Sequence, residues 1–105
     1  MSGEQKVQTV NQFDRLDHGS TSVGVTAVQV TATSELAHKG LLIKADNANT
    51  GTIYMGNSDV TANTTAATDG FQLGPGESVE LEVEDPSIVY ARASAASQKV
   101  FWIFV

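Results

Sequence analysis

Apolar and polar residues alternate along most of this chain with a period of two, the spacing of a strand with one face on a core. The clearest case is Ser78-Val79-Glu80-Leu81-Glu82-Val83-Glu84, which sets Val79, Leu81 and Val83 on one face and Glu80, Glu82 and Glu84 on the other. From Ser22, Val23, Val25 and Ala27 alternate with Gly24 and Thr26, and then Val28 and Val30 continue on the opposite phase. A phase change inside an extended run predicts a bulge or a bend. Leu41–Ala45 and Thr52–Gly56 read as two further strands, and the Asp46–Gly51 link between them carries the Asn and Gly that tight turns use. The pattern predicts that these two form a hairpin. Phe71–Leu73, Ser87–Arg92 and Lys99–Val105 complete the extended segments, with turn signals at Gly74-Pro75-Gly76-Glu77 and Asp85-Pro86.

Roughly seven or eight short strands divided by turns predict an all-β fold, an antiparallel β-sandwich or jelly-roll-like barrel. Residues 1–20 lack this regularity and are expected to form an N-terminal arm, with the β-sandwich domain over 21–105. The 57–70 stretch reads as a long loop of Thr, Ala, Asn, Asp and Ser, and loops of that length usually carry function.

The last strand is unusual in being apolar on both faces. Val100, Trp102 and Phe104 share one, and Phe101, Ile103 and Val105 share the other. One face of a sandwich strand meets the core, so the second needs a cover. The arm, a loop or a second subunit would each serve. Left in water on a sheet, such side chains invite aggregation.

Composition narrows the chemistry. The 105 residues carry six basic and twelve acidic side chains, a net charge of −6. The basic residues are scattered from Lys6 to Lys99, which argues against nucleic acid, since phosphate neutralisation needs grouped Lys and Arg. With no cysteine, disulfides and thiolate metal sites are excluded. No apolar run approaches the roughly 20 residues of a membrane helix, and Met1–Lys6 predicts no signal peptide. His18 and His38 are not spaced as metal ligands, and no GxSxG elbow is present. Glu80, Glu82 and Glu84 read as a solvated strand face or a row facing a basic partner. Asp46, Asn47, Asn49, Asn57 and Asp59 read as turn formers, not as a calcium loop. No catalytic residue, cofactor or metal is expected, and the chain reads as a non-enzymatic binding protein.

Three segments carry a resemblance. Gly40-Leu41-Leu42-Ile43-Lys44-Ala45, Asn49-Thr50-Gly51-Thr52-Ile53-Tyr54-Met55-Gly56, and Gly70-Phe71-Gln72-Leu73-Gly74-Pro75-Gly76-Glu77-Ser78-Val79-Glu80-Leu81 resemble small virion proteins of tailed bacteriophages, of the capsid decoration (cement) type. Ile88-Val89-Tyr90-Ala91 and the apolar C-terminal strand are similar to the segments that follow in such proteins. The resemblance spans about residues 40–105 and leaves the N-terminal third uncovered. It implies a jelly-roll-like domain on the outer surface of a capsid, with the major capsid protein as partner and a homo-oligomer, dimer or trimer, as its state. It also implies synthesis in the host cytoplasm and a final place on the virion. Val7, Val10 and Phe13 of the arm, with Phe101, Trp102, Ile103, Phe104 and Val105, are the candidate interface residues. The alternative is a tail, fibre or host-recognition module, in which Tyr54 and the 57–70 loop would meet a sugar.

Overall fold

A computed structural model describes residues 16–32, 40–63 and 65–104. Eight strands form: β1 (Asp17–Val23), β2 (Val28–Gln29), β3 (Leu41–Ala45), β4 (Ile53–Gly56), β5 (Phe71–Leu73), β6 (Ser78–Leu81), β7 (Tyr90–Ala93) and β8 (Gln98–Phe104). They make two four-stranded antiparallel sheets, β1-β8-β3-β6 and β2-β7-β4-β5.

The pairing is nested. β4 pairs with β5, β3 with β6, β2 with β7 and β1 with β8. The chain is thus one long hairpin whose tip is the 57–70 loop, folded over so that its pairs alternate between two layers. This is the strand order of a jelly roll.

Between the layers lies a core of Val23, Val30, Leu41, Ile43, Ala45, Ile53, Met55, Leu73, Val89, Ala91, Ala93, Val100 and Phe104. Each of its large aliphatic or aromatic members contributes about 1.5–3 kcal/mol by leaving water. The alternation in β3, with Leu41, Ile43 and Ala45 buried and Leu42 and Lys44 exposed, shows why the strand takes this face inward. Edges are kept short on the second sheet, where β2 has 2 residues and β5 has 3. On the first sheet the edge strand β6 carries the exposed Glu80.

Several expectations need correcting. Leu41–Ala45 and Thr52–Gly56 do not form a hairpin, because β3 and β4 belong to different sheets. The chain crosses the sandwich between them. The phase change after Val23 is a change of sheet and not a bulge: β1 ends at Val23 and β2 begins at Val28. Odd and even positions there face the same core from opposite sides. β1 begins at Asp17, inside the 1–20 segment expected as an arm. The Ser78–Glu84 run keeps strand pairing only to Leu81, although Val83 still packs on the core. In place of a strand from Ser87, a 3-10 turn spans Pro86–Ile88, capped by Asp85, and β7 follows it.

The Gly74–Glu77 turn that links β5 to β6 has a geometric requirement. Gly76 sits at φ 82°, and a Cβ there would lie 2.5 Å from Asn47 Oδ1. Glycine meets both demands at once. The Glu77 side chain accepts the Gly74 N–H at 2.7 Å and closes the turn.

Candidate interaction surfaces

β8 is central in its sheet, paired on one side with β1 and on the other with β3. Its register decides which apolar face is free. Val100 and Phe104 point into the core and are 0% and 1% exposed. Trp102 lies on this inner side too, half-buried, stacked on Phe104 with ring centroids 6.1 Å apart. Its indole N–H donates to Thr21 Oγ1 at 3.3 Å, and that hydroxyl donates onward to the Val30 carbonyl. Gly19 makes room for the indole, since a Cβ there would stand 2.6 Å from Trp102 Cζ2. Both rings therefore pack within the chain, Phe104 fully buried and Trp102 still part-exposed. Phe104 in particular is not available as an interface residue.

Phe101 and Ile103 point the other way. Residues directly opposed in an antiparallel pair share a face, and the registers assemble two full rows on the outer side of the sheet. One row runs His18, Ile103, Leu42, Glu80 across β1, β8, β3 and β6, and the next runs Ser20, Phe101, Lys44, Ser78. Phe101 and Leu42 are each 43% exposed. A shallow hollow of about 310 Å³ opens here, lined in part by His18, Leu42, Lys44, Phe101 and Ile103. The Lys99 ammonium lies 5.8 Å from the centroid of the Phe101 ring. Two of the candidate interface residues, the exposed Phe101 and the half-buried Ile103, thus meet on one outer apolar surface. Val7, Val10, Phe13 and Val105 lie outside the described residues. Leu42 and Lys44 are members that the sequence reading passed over. The signal was present in Leu41-Leu42-Ile43, where strand alternation forces one of three consecutive aliphatic residues outward.

A second apolar feature is a groove of about 490 Å³ between the β5 and β6 edges, lined by Met55, Phe71, Val79, Leu81, Ile88 and Val89. Phe71 and Ile88 on its rim are 63% and 57% exposed. Neither stood out in the sequence, because each is an isolated apolar residue next to a turn.

The 57–70 loop is built around Asp69. Its carboxylate accepts Thr61 Oγ1, the Asn63 N–H at 3.2 Å and the Ala66 N–H at 2.8 Å. Desolvation pushes this carboxyl upward, but these hydrogen bonds together outweigh it and hold its pKa below the ordinary aspartate value. Asp85 is also lowered, first by the Ser87 hydroxyl and then by the Ser87 N–H. Both carboxylates organise backbone. The other loop acids and amides do the same work: Asp46 Oδ1 accepts the Ala48 N–H, Asn57 Oδ1 accepts the Asp59 N–H, and Asn49 exchanges bonds with the Lys99 backbone. Among the described residues no three His, Cys, Asp or Glu side chains converge as metal ligands, and no helix is long and apolar enough to cross a membrane. Tyr54 is 6% exposed, so it is not a sugar-stacking surface as the alternative reading required.

No family model, curated protein or solved structure matches this chain.

Proposed function

We propose that this chain is a non-enzymatic virion structural protein that binds the outer surface of a bacteriophage capsid and stabilises the shell as a decoration protein. The observation that carries the reading is the apolar surface on the outer side of a β-sheet where Leu42 and Phe101 are exposed beside the half-buried Ile103. Exposed apolar residues gathered in one patch are a protein-binding feature, and this patch sits on paired strands, where its shape is held. The likeness of residues 40–105 to phage virion proteins supplies the kind of partner, the major capsid protein. The acidic balance of −6 suits a soluble protein that must not bind the packaged nucleic acid.

The mechanism is mass action. A protein that binds the assembled, expanded shell and not its separated subunits stabilises the shell by RT ln(1 + [L]/Kd) per site, about 2.7 kcal/mol at a hundredfold excess over Kd. Many identical sites on one shell multiply a modest contact into a large resistance to disruption. The experiment is to mix the purified protein with undecorated expanded capsids, and to measure co-sedimentation and the temperature of shell disruption. Co-sedimentation with a raised disruption temperature is expected. Failure to bind expanded shells would sink the proposal.

The second reading, a tail, fibre or host-recognition module, draws on Phe71, which is exposed beside Asn57 and the 57–70 loop. Binding to host cells or glycans that is lost in Phe71→Ala would favour it.

A further inference from the structure

The outer face of the second sheet differs in kind from that of the first. Ala91, Ala93, Ile53, Met55 and Leu73 take the core side of β7, β4 and β5. Their neighbours Tyr90, Arg92, Tyr54 and Gln72 therefore stand on the outer side. The registers set Arg92, Tyr54 and Gln72 in one row across β7, β4 and β5, and place Tyr90 opposite Gln29 in the next. None of these side chains is acidic, and each can donate a hydrogen bond.

Arg92 stands out among them. It is half-buried, and its Nε is shut off from solvent with no hydrogen-bond acceptor. Among the described residues it has no ion pair, side-chain hydrogen bond or ring contact. The described lysines, Lys44 and Lys99, lie on the outer side of the first sheet, so Arg92 is the one described Lys or Arg on the strands of the second. A guanidinium stripped of part of its water and given no acceptor carries a desolvation cost that a bound anion would offset.

We infer that the outer face of the second sheet is a further interaction surface, on which Arg92 takes an aspartate or glutamate side chain of a partner protein. Charge decides the occupant. One partly desolvated cation matches one carboxylate, which a guanidinium holds through two parallel N–H···O bonds. A nucleic acid or an acidic polysaccharide needs grouped cations, and the net charge of −6 repels it. Because Nε has already left water in the free chain, less desolvation remains when the carboxylate arrives. Tyr54 is directly opposite Arg92, and Tyr90 is two residues before it on the same strand. Tyr and Arg are the residue types that carry most binding energy at protein interfaces. Paired strands hold all three, so little ordering is left to impose on binding. This surface and the one with Leu42 and Phe101 lie on opposite sides of the sandwich, so both can be occupied at once. The inference does not depend on the capsid reading.

The test uses the full chain labelled with ¹⁵N. The probe is a capped Gly-Tyr-Glu-Leu-Gly peptide, and the control is the same peptide with glutamine for glutamate. Arg15 and Arg92 are the only arginines in the sequence, so the side-chain Nε–H signal of Arg92 is readily assigned from Arg92→Lys. With the glutamate peptide this signal should shift and saturate with a Kd of about 1 mM, and the glutamine peptide should bind at least about tenfold more weakly. Arg92→Gln should abolish the accompanying shifts of the Tyr54, Gln72 and Tyr90 amides. Arg92→Lys should bind more weakly than the unaltered chain, since an ammonium cannot make the paired bonds. No saturable shift up to about 10 mM peptide, equal shifts with the glutamine peptide, or an Arg15 signal that moves as much as that of Arg92 would each overturn the inference. Tighter binding of an alginate oligosaccharide or of inorganic phosphate would also overturn it, because the surface would then be a glycan or free-anion site. If circular dichroism shows that Arg92→Gln does not fold, the two peptides on the unaltered chain still decide.

Discussion

Gln98 opens β8, the strand that presents Phe101 and Ile103, and it is 3% exposed. Its Oε1 accepts the Thr50 N–H at 2.8 Å and the Gly51 N–H at 2.9 Å. Its Nε2 donates to the Ala96 carbonyl at 2.7 Å and to Thr50 Oγ1 at 3.2 Å. One amide therefore ties the link before β4 to the turn before β8. Replacing it with leucine fits the volume and removes all four bonds. Two part-buried N–H groups and one carbonyl lose their partners, each at about 1 kcal/mol or somewhat more. The expected loss is about 3 kcal/mol. With an unfolding entropy near 2.1 cal/mol/K per residue, a chain of this size loses roughly 14 °C in Tm for that energy. Urea denaturation followed by circular dichroism should show a lower midpoint with an unchanged slope. Gln98→Glu buries a carboxylate and sets one of its oxygens against the Ala96 carbonyl, so it should destabilise at least as much as Gln98→Leu. A Gln98→Leu variant within about 1 kcal/mol of wild type would refute the assignment of this amide as the tie between the two loops.

Three further outcomes follow from the same geometry. Gly19→Ala places a methyl group against the Trp102 ring and should cost about 1–3 kcal/mol, with a changed near-ultraviolet signal from Trp102; an unchanged spectrum and midpoint would show that the indole does not pack there. Phe104→Ala should destabilise the fold by about 3–5 kcal/mol, whereas Phe101→Ser should change monomer stability by less than about 1 kcal/mol, and denaturation at low protein concentration separates the two faces of β8. Asp69 and Asp85 have folded pKa values below their unfolded ones, so their contribution is present above the ordinary aspartate pKa and is lost as pH falls through the folded values. Carboxyl NMR titration should show both protonating below the usual aspartate range, and the 57–70 loop losing amide protection as Asp69 does so; titration of both at ordinary values would contradict the hydrogen-bond account.

Local alternation was enough to place most strands and to say which residues of each share a face. Leu41, Ile43 and Ala45 against Leu42 and Lys44 is an example, because a pleated backbone sends neighbours to opposite sides whatever its partner is. Turn chemistry at Gly74–Glu77 and Asp85-Pro86 marked the breaks for the same reason: it acts within a few residues. The candidate surface was legible in part. That β8 is apolar on both sides, and so needs two covers, is a statement about seven residues.

Tertiary structure decided what alternation cannot encode, the partner of each strand. The Leu41–Ala45 and Thr52–Gly56 strands look like a hairpin because they are adjacent in sequence. They lie in different sheets because nesting β3 with β6 and β4 with β5 lets both bury their apolar faces in one core. The same pairing settled β8. Its two faces are equally apolar in sequence, and the neighbours β1 and β3 turned Phe104 inward and Phe101 outward. The sequence by itself determined an all-β chain with an apolar surface in excess of what one core can take. Which residues make up that surface, and that Leu42 from a distant segment joins them, required the non-local registers, since a strand's period states its two faces but not the sheet against which either will lie.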